Sequence, residues 1–164
     1  MAQVLIIAYG NPLRSDDGVA WRAADLLERK FPESEVEILR LHQLAPELAD
    51  AARNRDLILF LDAACPDTAE NTQPGQIRVK EISQRSRDED QASQCSHVYS
   101  PARILNFAHK LYHEVPKAFV LTIAGETFDH GDLLSDPVEA ATPDLVAKVE
   151  QIVQEYLSNK RRPS

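Results

Sequence analysis

Three side chains in this sequence form a set suited to a divalent metal, namely Asp17, Asp62 and His97. Two carboxylates and one imidazole, with room for an outside ligand, fit a borderline metal better than magnesium or a closed four-ligand zinc site. Each residue also has an ordinary structural interpretation. One of the adjacent acids Asp16 and Asp17 can cap a helix, Asp62 can brace a loop, and a lone histidine usually has a structural partner.

Signatures of other reaction classes are absent from the sequence. It contains no G-x-S-x-G elbow, no P-loop, no G-x-G-x-x-G after the first apolar run and no H-E-x-x-H. The opening MAQVLIIAYG lacks a basic n-region and a cleavage site, so we interpret it as a buried strand. Cys65 and Cys95 are therefore expected to be reduced thiols in a cytoplasmic protein. A pairing of Cys65 with His97 stays open, without a supporting signature.

Composition indicates a globular chain with excess negative charge. The 164 residues are 43% hydrophobic and 27% charged, and the formal net charge is −8. Such a chain has no electrostatic reason to bind nucleic acid or an anionic membrane, and no run reaches the ~20 apolar residues of a membrane span. We expect a single domain over residues 1–158, followed by a flexible tail over residues 159–164.

The order of strand and helix patterns predicts an α/β fold. Buried or alternating runs predict strands at 4–8, 36–41, 57–61, 76–82 and 117–124. Three-to-four-residue spacing predicts helices at about 17–30, 44–53 and 101–113, and from Pro143 onward. The loop before 76–82 has no helical pattern, so that strand is predicted to be antiparallel at an edge. The result is a three-layer α/β/α sandwich around a five-stranded, mostly parallel sheet with one antiparallel edge strand.

Several polar residues follow the predicted parallel strands. In open α/β sheets, ligands bind outside the carboxyl ends of such strands. The residues at those ends are Gly10-Asn11, Asp16-Asp17, His42, Asp62 and Gly125-Glu126. His97 precedes the helix at 101–113, so its position depends on how the long polar loop at 83–96 returns to the sheet.

Residues 7–18, IAYGNPLRSDDG, strongly resemble the amino-terminal motif of the [NiFe]-hydrogenase maturation endopeptidases. Further segments resemble the later blocks of that family and occur in the same order along nearly the whole chain. These segments are Leu61-Asp62-Ala63, the histidine segment 96–101 (SHVYSP), Gly125-Glu126 and the segment 134–138 (LSDPV).

The resemblance implies a peptidase that removes the carboxyl-terminal extension of the hydrogenase large-subunit precursor after nickel insertion. Asp17, Asp62 and His97 stand at the family's metal-binding positions. The nickel is implied to belong to the substrate, zinc or cadmium being possible substitutes in crystals, and no organic cofactor is implied. Asp16 or Asp62 is a candidate general base. The implied partner is the precursor, with no nucleic acid or membrane.

One segment departs from the family pattern. Many members carry an Asp-Gly-Gly-Thr-like turn after the second strand, where residues 40–48 read RLHQLAPEL. This version resembles the branch that serves bidirectional, NAD(P)-linked hydrogenases. Asn11, His42 and Gln43 are predicted substrate contacts, although His42 is equally suited to bracing its loop. The alternatives are a non-catalytic metal or small-ligand binding module, and an unrelated α/β hydrolase or phosphorylase-like enzyme.

Overall fold

The computed structural model describes residues 1–65, 71–86 and 99–162, and a five-stranded sheet forms its centre. The sheet order is β2-β1-β3-β5-β4. Strand β1 pairs in parallel with β2 and β3, β3 pairs in parallel with β5, and β4 pairs antiparallel with β5. The predicted sheet, with its antiparallel edge strand, is therefore confirmed. The strands are β1 (Val4–Tyr9), β2 (Val36–Leu41), β3 (Leu57–Ala64), β4 (Ile77–Ile82) and β5 (Lys117–Ala124).

Helices cover both faces of this sheet and complete the predicted three layers. Apolar side chains of α1 and α4 belong to one buried cluster, and those of α2 and α3 belong to another on the opposite face. Successive residues of β1 alternate between the two clusters, as the pleat of a strand requires. The helices are α1 (Val19–Glu28), α2 (Leu48–Ala51), α3 (Pro101–Tyr112) and α4 (Asp136–Arg161), and a short 3-10 helix at Ser15–Gly18 precedes α1.

Strand β3 runs further than the apolar run predicts. It continues to Ala64, so Asp62 lies inside the strand and opposite Thr122 of β5 rather than after the strand end. The two alanines that follow Asp62 stay paired with β5, opposite residues 123 and 124. The strand predicted from the apolar run ends before the first charged residue. Pairing with β5 keeps the backbone of β3 extended as far as Ala64.

The start of α4 was also predicted wrongly. The helix begins at Asp136, with Ser135 as its N-cap residue, and Pro143 lies inside it. The prediction relied on the preference of proline for the first helical turn. A second proline, Pro137, occupies that turn instead.

The last turn of α4 contacts the body of the protein, and the single domain over residues 1–158 with a flexible tail over 159–164 stays a prediction. Lys160 Nζ lies 2.9 Å from Asp56 Oδ2, and the Arg161 guanidinium pairs with the Glu35 carboxylate.

The helix predicted at 44–53 is shorter in the structure, where only the single turn of α2 is helical.

Cys65 follows β3 directly and is disulfide-bonded. The expectation of a reduced thiol was therefore wrong for this residue, because pairing depends on tertiary proximity, which sequence spacing does not show. Cys95 lies outside the described residues. Across residues 1–65, 71–86 and 99–162, no helix combines the length and apolar character needed to cross a membrane.

Candidate active site

The loop after β1, residues 10–18, is here called the motif loop, and it turns sharply at Gly10. Gly10 has a φ of 143°, and a Cβ at this position would lie 2.1 Å from the carbonyl oxygen of Asp17. A side chain is therefore excluded, and only glycine lets the loop fold back this tightly. The Gly10 amide donates to the carbonyl of Leu41 at 3.0 Å, which ties the turn to the end of β2.

Asp17 lies in the short 3-10 helix of the motif loop and is 5% exposed. Its Oδ2 accepts a hydrogen bond of 2.7 Å from the amide of Asn11. The Asn11 side chain in turn accepts from the amide of Leu13 at 2.9 Å. Asn11 thus braces the loop that holds Asp17, and its predicted contact with substrate stays a prediction.

Asp62 and Tyr9 lie side by side at the carboxyl end of the parallel strands. Strands β1 and β3 are in parallel register up to Ala8 and Leu61, so the next residues along are Tyr9 and Asp62. Both are almost fully buried, at 2% and 1% exposure. The sequence analysis did not single out Tyr9. The signal that would have found it is the strand register, which the sequence does not contain.

Burial and charge act together on this pair. Burial raises the pKa of the Asp62 carboxyl well above its ordinary range, and the negative charge of Asp17 raises it further. The nearby Tyr9 hydroxyl and Ala63 amide act against this rise in pKa. The pKa of the Tyr9 phenol is also raised, first by burial and then by the negative charge of Asp62. A cation bound between the two carboxylates would relieve both the desolvation and the repulsion.

Asp16 has a different environment from its neighbour Asp17. It is completely buried, and its carboxylate accepts four hydrogen bonds from residues 125–135, here called the closing loop. Oδ2 accepts from the amides of Glu126 (2.7 Å) and Thr127 (3.0 Å) and from the Ser135 hydroxyl (2.7 Å), and Oδ1 accepts from the Ser135 amide (2.7 Å). Four donors hold the Asp16 carboxylate in one orientation. The arrangement favours a positioning role over the base role predicted from the sequence.

Backbone contacts extend the connection between the motif loop and the closing loop. Gly131 donates to the carbonyl of Leu13 at 2.9 Å and accepts from the amide of Ser15 at 2.8 Å. The Ser15 hydroxyl donates to the carbonyl of Asp129 at 2.8 Å. The two loops therefore form one hydrogen-bonded edge around Asp16, beside the pair of Asp17 and Asp62.

His97, the third predicted metal ligand, lies outside the described residues, so its placement stays a prediction. Among the residues that the structure describes, no three His, Cys, Asp or Glu side chains are grouped closely enough to hold a metal ion. The described part of the site therefore contributes two carboxylates and leaves the remaining ligands open.

His42 and Gln43 directly follow β2, and both are exposed. The His42 ring meets the Trp21 ring edge to face, with centroids 5.3 Å apart and planes at 80°. Trp21 Nε1 donates to the carbonyl of Leu41 at 3.0 Å, which fixes the indole against the end of β2. His42 is thus braced on one side while it remains accessible to a partner.

The five-stranded sheet and its flanking helices form an α/β fold that is shared with solved hydrogenase maturation peptidases. One similar structure is the hydrogenase maturating endopeptidase HybD from E. coli, with 24% identity and a TM-score of 0.72 over 95% of this chain and 94% of that chain. Another is the [NiFe] hydrogenase maturation protease HybD from Thermococcus kodakarensis, with 23% identity and a TM-score of 0.68 over 93% and 99%. A third is the hydrogenase 2 maturation peptidase from Thaumarchaeota archaeon SCGC_AB-539-E09, with 24% identity and a TM-score of 0.67 over 92% and 97%.

At these identities the similarity establishes a common fold over almost the full length of both chains. The sequence matches no protein-family model and none of the curated proteins.

Proposed function

We propose that this chain is an endopeptidase that removes the carboxyl-terminal extension of the [NiFe]-hydrogenase large-subunit precursor after nickel insertion. The observation that carries the proposal is the juxtaposition of the buried carboxylates of Asp17 and Asp62 at the carboxyl edge of the sheet. The shared fold with solved maturation peptidases and the motif order of the sequence support the same activity.

In this proposal, nickel arrives as part of the substrate. Asp17, Asp62 and His97 receive the ion, and it offsets the negative charge that burial makes unfavourable at Asp62. A precursor without nickel gains no such interaction and binds less tightly. The substrate's own metal therefore gates the reaction, and an idle precursor is not cleaved.

The bound nickel would polarise the scissile carbonyl, lower the pKa of the attacking water or orient the chain. The protein's own contribution is to hold the acidic pair in place through Gly10, Asn11 and Asp16.

Substrate choice is assigned to the loop that follows β2. His42 and Gln43 are exposed beside the same strand ends as the acidic pair, and Asn11 lies at the adjacent turn. The His-Gln-Leu sequence of this loop supports a precursor of the bidirectional, NAD(P)-linked type as the substrate.

The decisive experiment mixes the full-length protein with nickel-loaded and nickel-free precursor and follows loss of the extension by mass spectrometry. We expect cleavage of the loaded precursor only. Asp17→Asn, Asp62→Asn and His97→Ala should each abolish cleavage. Asp144→Asn, an exposed acid on α4, is the matched control and should cleave normally.

Three other results would each count against a different part of the proposal. Equal cleavage of both precursors would refute nickel gating. Cleavage of neither, together with retained metal binding, would favour the non-catalytic binding module. Full activity of Asp62→Asn would remove the central claim of the proposal.

A further inference from the structure

Two leucines are exposed on the loops that surround the candidate site. Leu13, in the motif loop, is 60% exposed, and Leu133, in the closing loop, is 74% exposed. Single exposed apolar side chains are common on protein surfaces and need no explanation. Leu111, in the last turn of α3 and 63% exposed, is such a residue. Leu13 and Leu133 differ from it in their position beside the site and in the bonding of their loops.

The two leucines belong to backbone segments that pair with each other. The Gly131 amide donates to the carbonyl of Leu13 itself at 2.9 Å, and the Gly131 carbonyl accepts from the Ser15 amide at 2.8 Å. These bonds form an isolated parallel bridge between Arg14 and Gly131. Leu133 follows Gly131 by two residues, which span at most about 7 Å of chain. Both leucines therefore lie along the same hydrogen-bonded edge.

Further hydrogen bonds fix the backbone on the far side of each leucine. The Leu13 amide donates to the Asn11 side chain at 2.9 Å. Ser135, two residues after Leu133, donates through its amide to the Asp16 carboxylate at 2.7 Å. A partner that covers side chains on such preorganised loops pays little for ordering them, so these leucines are suited to docking.

The charges around the leucines indicate the chemistry of the partner. The closing loop contains three exposed acids and no lysine or arginine; the acids are Glu126, Asp129 and Asp132. A complementary surface would present basic side chains around an apolar patch. The same two loops enclose Asp16, beside the pair of Asp17 and Asp62. A protein that covers the leucines therefore lies against the candidate site as well.

We propose that Leu13 and Leu133 dock the folded body of the large-subunit precursor, through an apolar patch on the precursor that is bordered by basic residues. The inference rests on the proposed function for the identity of this partner. It adds a contact outside the metal site. Docking through the leucines contributes equally to the binding of nickel-loaded and nickel-free precursor, and nickel adds its own contribution at the acidic pair.

The test measures the affinity of the full-length protein for both forms of the precursor by biolayer interferometry, which needs no cleavage. Leu13→Ala and Leu133→Ala should each weaken binding of both forms roughly 5- to 10-fold, because each removes apolar area from the interface. With nickel-loaded precursor, KM should rise by a similar factor and kcat should stay unchanged. Leu111→Ala is the matched control, near the start of β5 and the opposite edge of the sheet, and should bind normally.

A second variant tests the charges separately from the leucines. Asp129→Asn combined with Asp132→Asn should weaken binding at low salt and have little effect at high salt, because exposed charge pairs are screened. The effect of the leucine variants should persist at high salt. Charge variants that bind like the wild-type protein at every salt concentration would contradict the basic border assigned to the precursor.

Wild-type affinity in both leucine variants would overturn the inference, and the proposed function would stand if the wild-type protein cleaves. A wild-type protein that binds the precursor but never cleaves it would defeat the proposed function, and weaker binding by the leucine variants would still support docking. Size-exclusion chromatography with light scattering tests a second copy of this chain as the occupant. A dimer that the leucine variants convert to a monomer, at unchanged precursor affinity, would overturn the inference in favour of self-association.

Discussion

Asp16 and Ser135 are joined by two hydrogen bonds of 2.7 Å, although they lie 119 residues apart in the chain. The amide of Ser135 donates to one oxygen of the Asp16 carboxylate, and its hydroxyl donates to the other. Ser135 is also the N-cap residue of α4, yet its hydroxyl makes no capping bond to the helix. The carboxylate thus couples the start of α4 to the motif loop that carries Asp17.

We predict that Asp16→Asn lowers the free energy of unfolding by about 2–4 kcal/mol, because an amide nitrogen would face buried donors and the charge-assisted bonds would be lost. Urea unfolding measures the loss. Ser135→Ala removes one donor of the four and should cost only about 1 kcal/mol. An Asp16→Asn variant with wild-type stability and no processing activity would instead support the base role.

We predict that Asp62→Asn abolishes processing and yet raises the unfolding temperature of the metal-free protein. The pKa of Asp62 is raised in the folded state, so the folded chain binds this proton more tightly than the unfolded chain does. The free energy of unfolding therefore falls as pH rises from the ordinary aspartate pKa of about 3.9 through the raised value.

Asparagine at position 62 does not ionise, so the variant avoids this loss of stability as pH rises. Its free energy of unfolding should exceed that of the wild-type protein only slightly at about pH 4 and by more at about pH 8. Thermal unfolding in the presence of a chelator measures it. Asp56→Asn is the control of opposite sign, because the Tyr156 hydroxyl and Lys160 lower the pKa of Asp56. That variant should be less stable than wild type, and the loss should be present above the ordinary aspartate pKa. A pH-independent advantage of Asp62→Asn would contradict the assigned ionisation.

Gly10→Ala is predicted to destabilise the protein by about 2 kcal/mol or more and to abolish processing, because the φ of Gly10 suits only glycine and the new methyl group would strike the backbone of Asp17. Gly131→Ala is the matched control in the closing loop. Its Cβ would meet only the Ser15 hydroxyl, at 3.2 Å. Urea unfolding of the two variants should separate them clearly, and equal stabilities would show that the turn at Gly10 has room to relax.

His42→Ala and Gln43→Ala should each raise KM for the precursor by roughly 3- to 10-fold and leave kcat unchanged, because exposed contacts at the edge of an interface contribute about 1 kcal/mol each. Gln154→Ala, on the exposed face of α4, is the matched control and should leave KM unchanged. Steady-state kinetics with nickel-loaded precursor provides both constants. An unchanged KM in His42→Ala would restrict that residue to its contact with Trp21.

Much of the fold was predictable from local pattern. The apolar run over 57–61 and the alternation over 36–41 predict strands because side-chain direction in a strand depends only on neighbouring residues. The antiparallel edge position of β4 followed from the lack of a helical crossover before it, and the structure confirms it. The same reasoning placed Asp17 and Asp62 at one edge of the sheet, since the carboxyl ends of parallel strands lie together.

The separate roles of the two adjacent acids, Asp16 and Asp17, were not predictable in this way. They are neighbours in the chain, but four donors of the closing loop surround one, and the amide of Asn11 contacts the other. Tyr9 likewise lies beside Asp62 only because β3, distant in sequence, pairs with β1. Periodicity reports which face a residue occupies, because that depends on the local backbone. Which distant donor or carboxylate it meets there depends on how remote segments pack, and only the tertiary structure decides that.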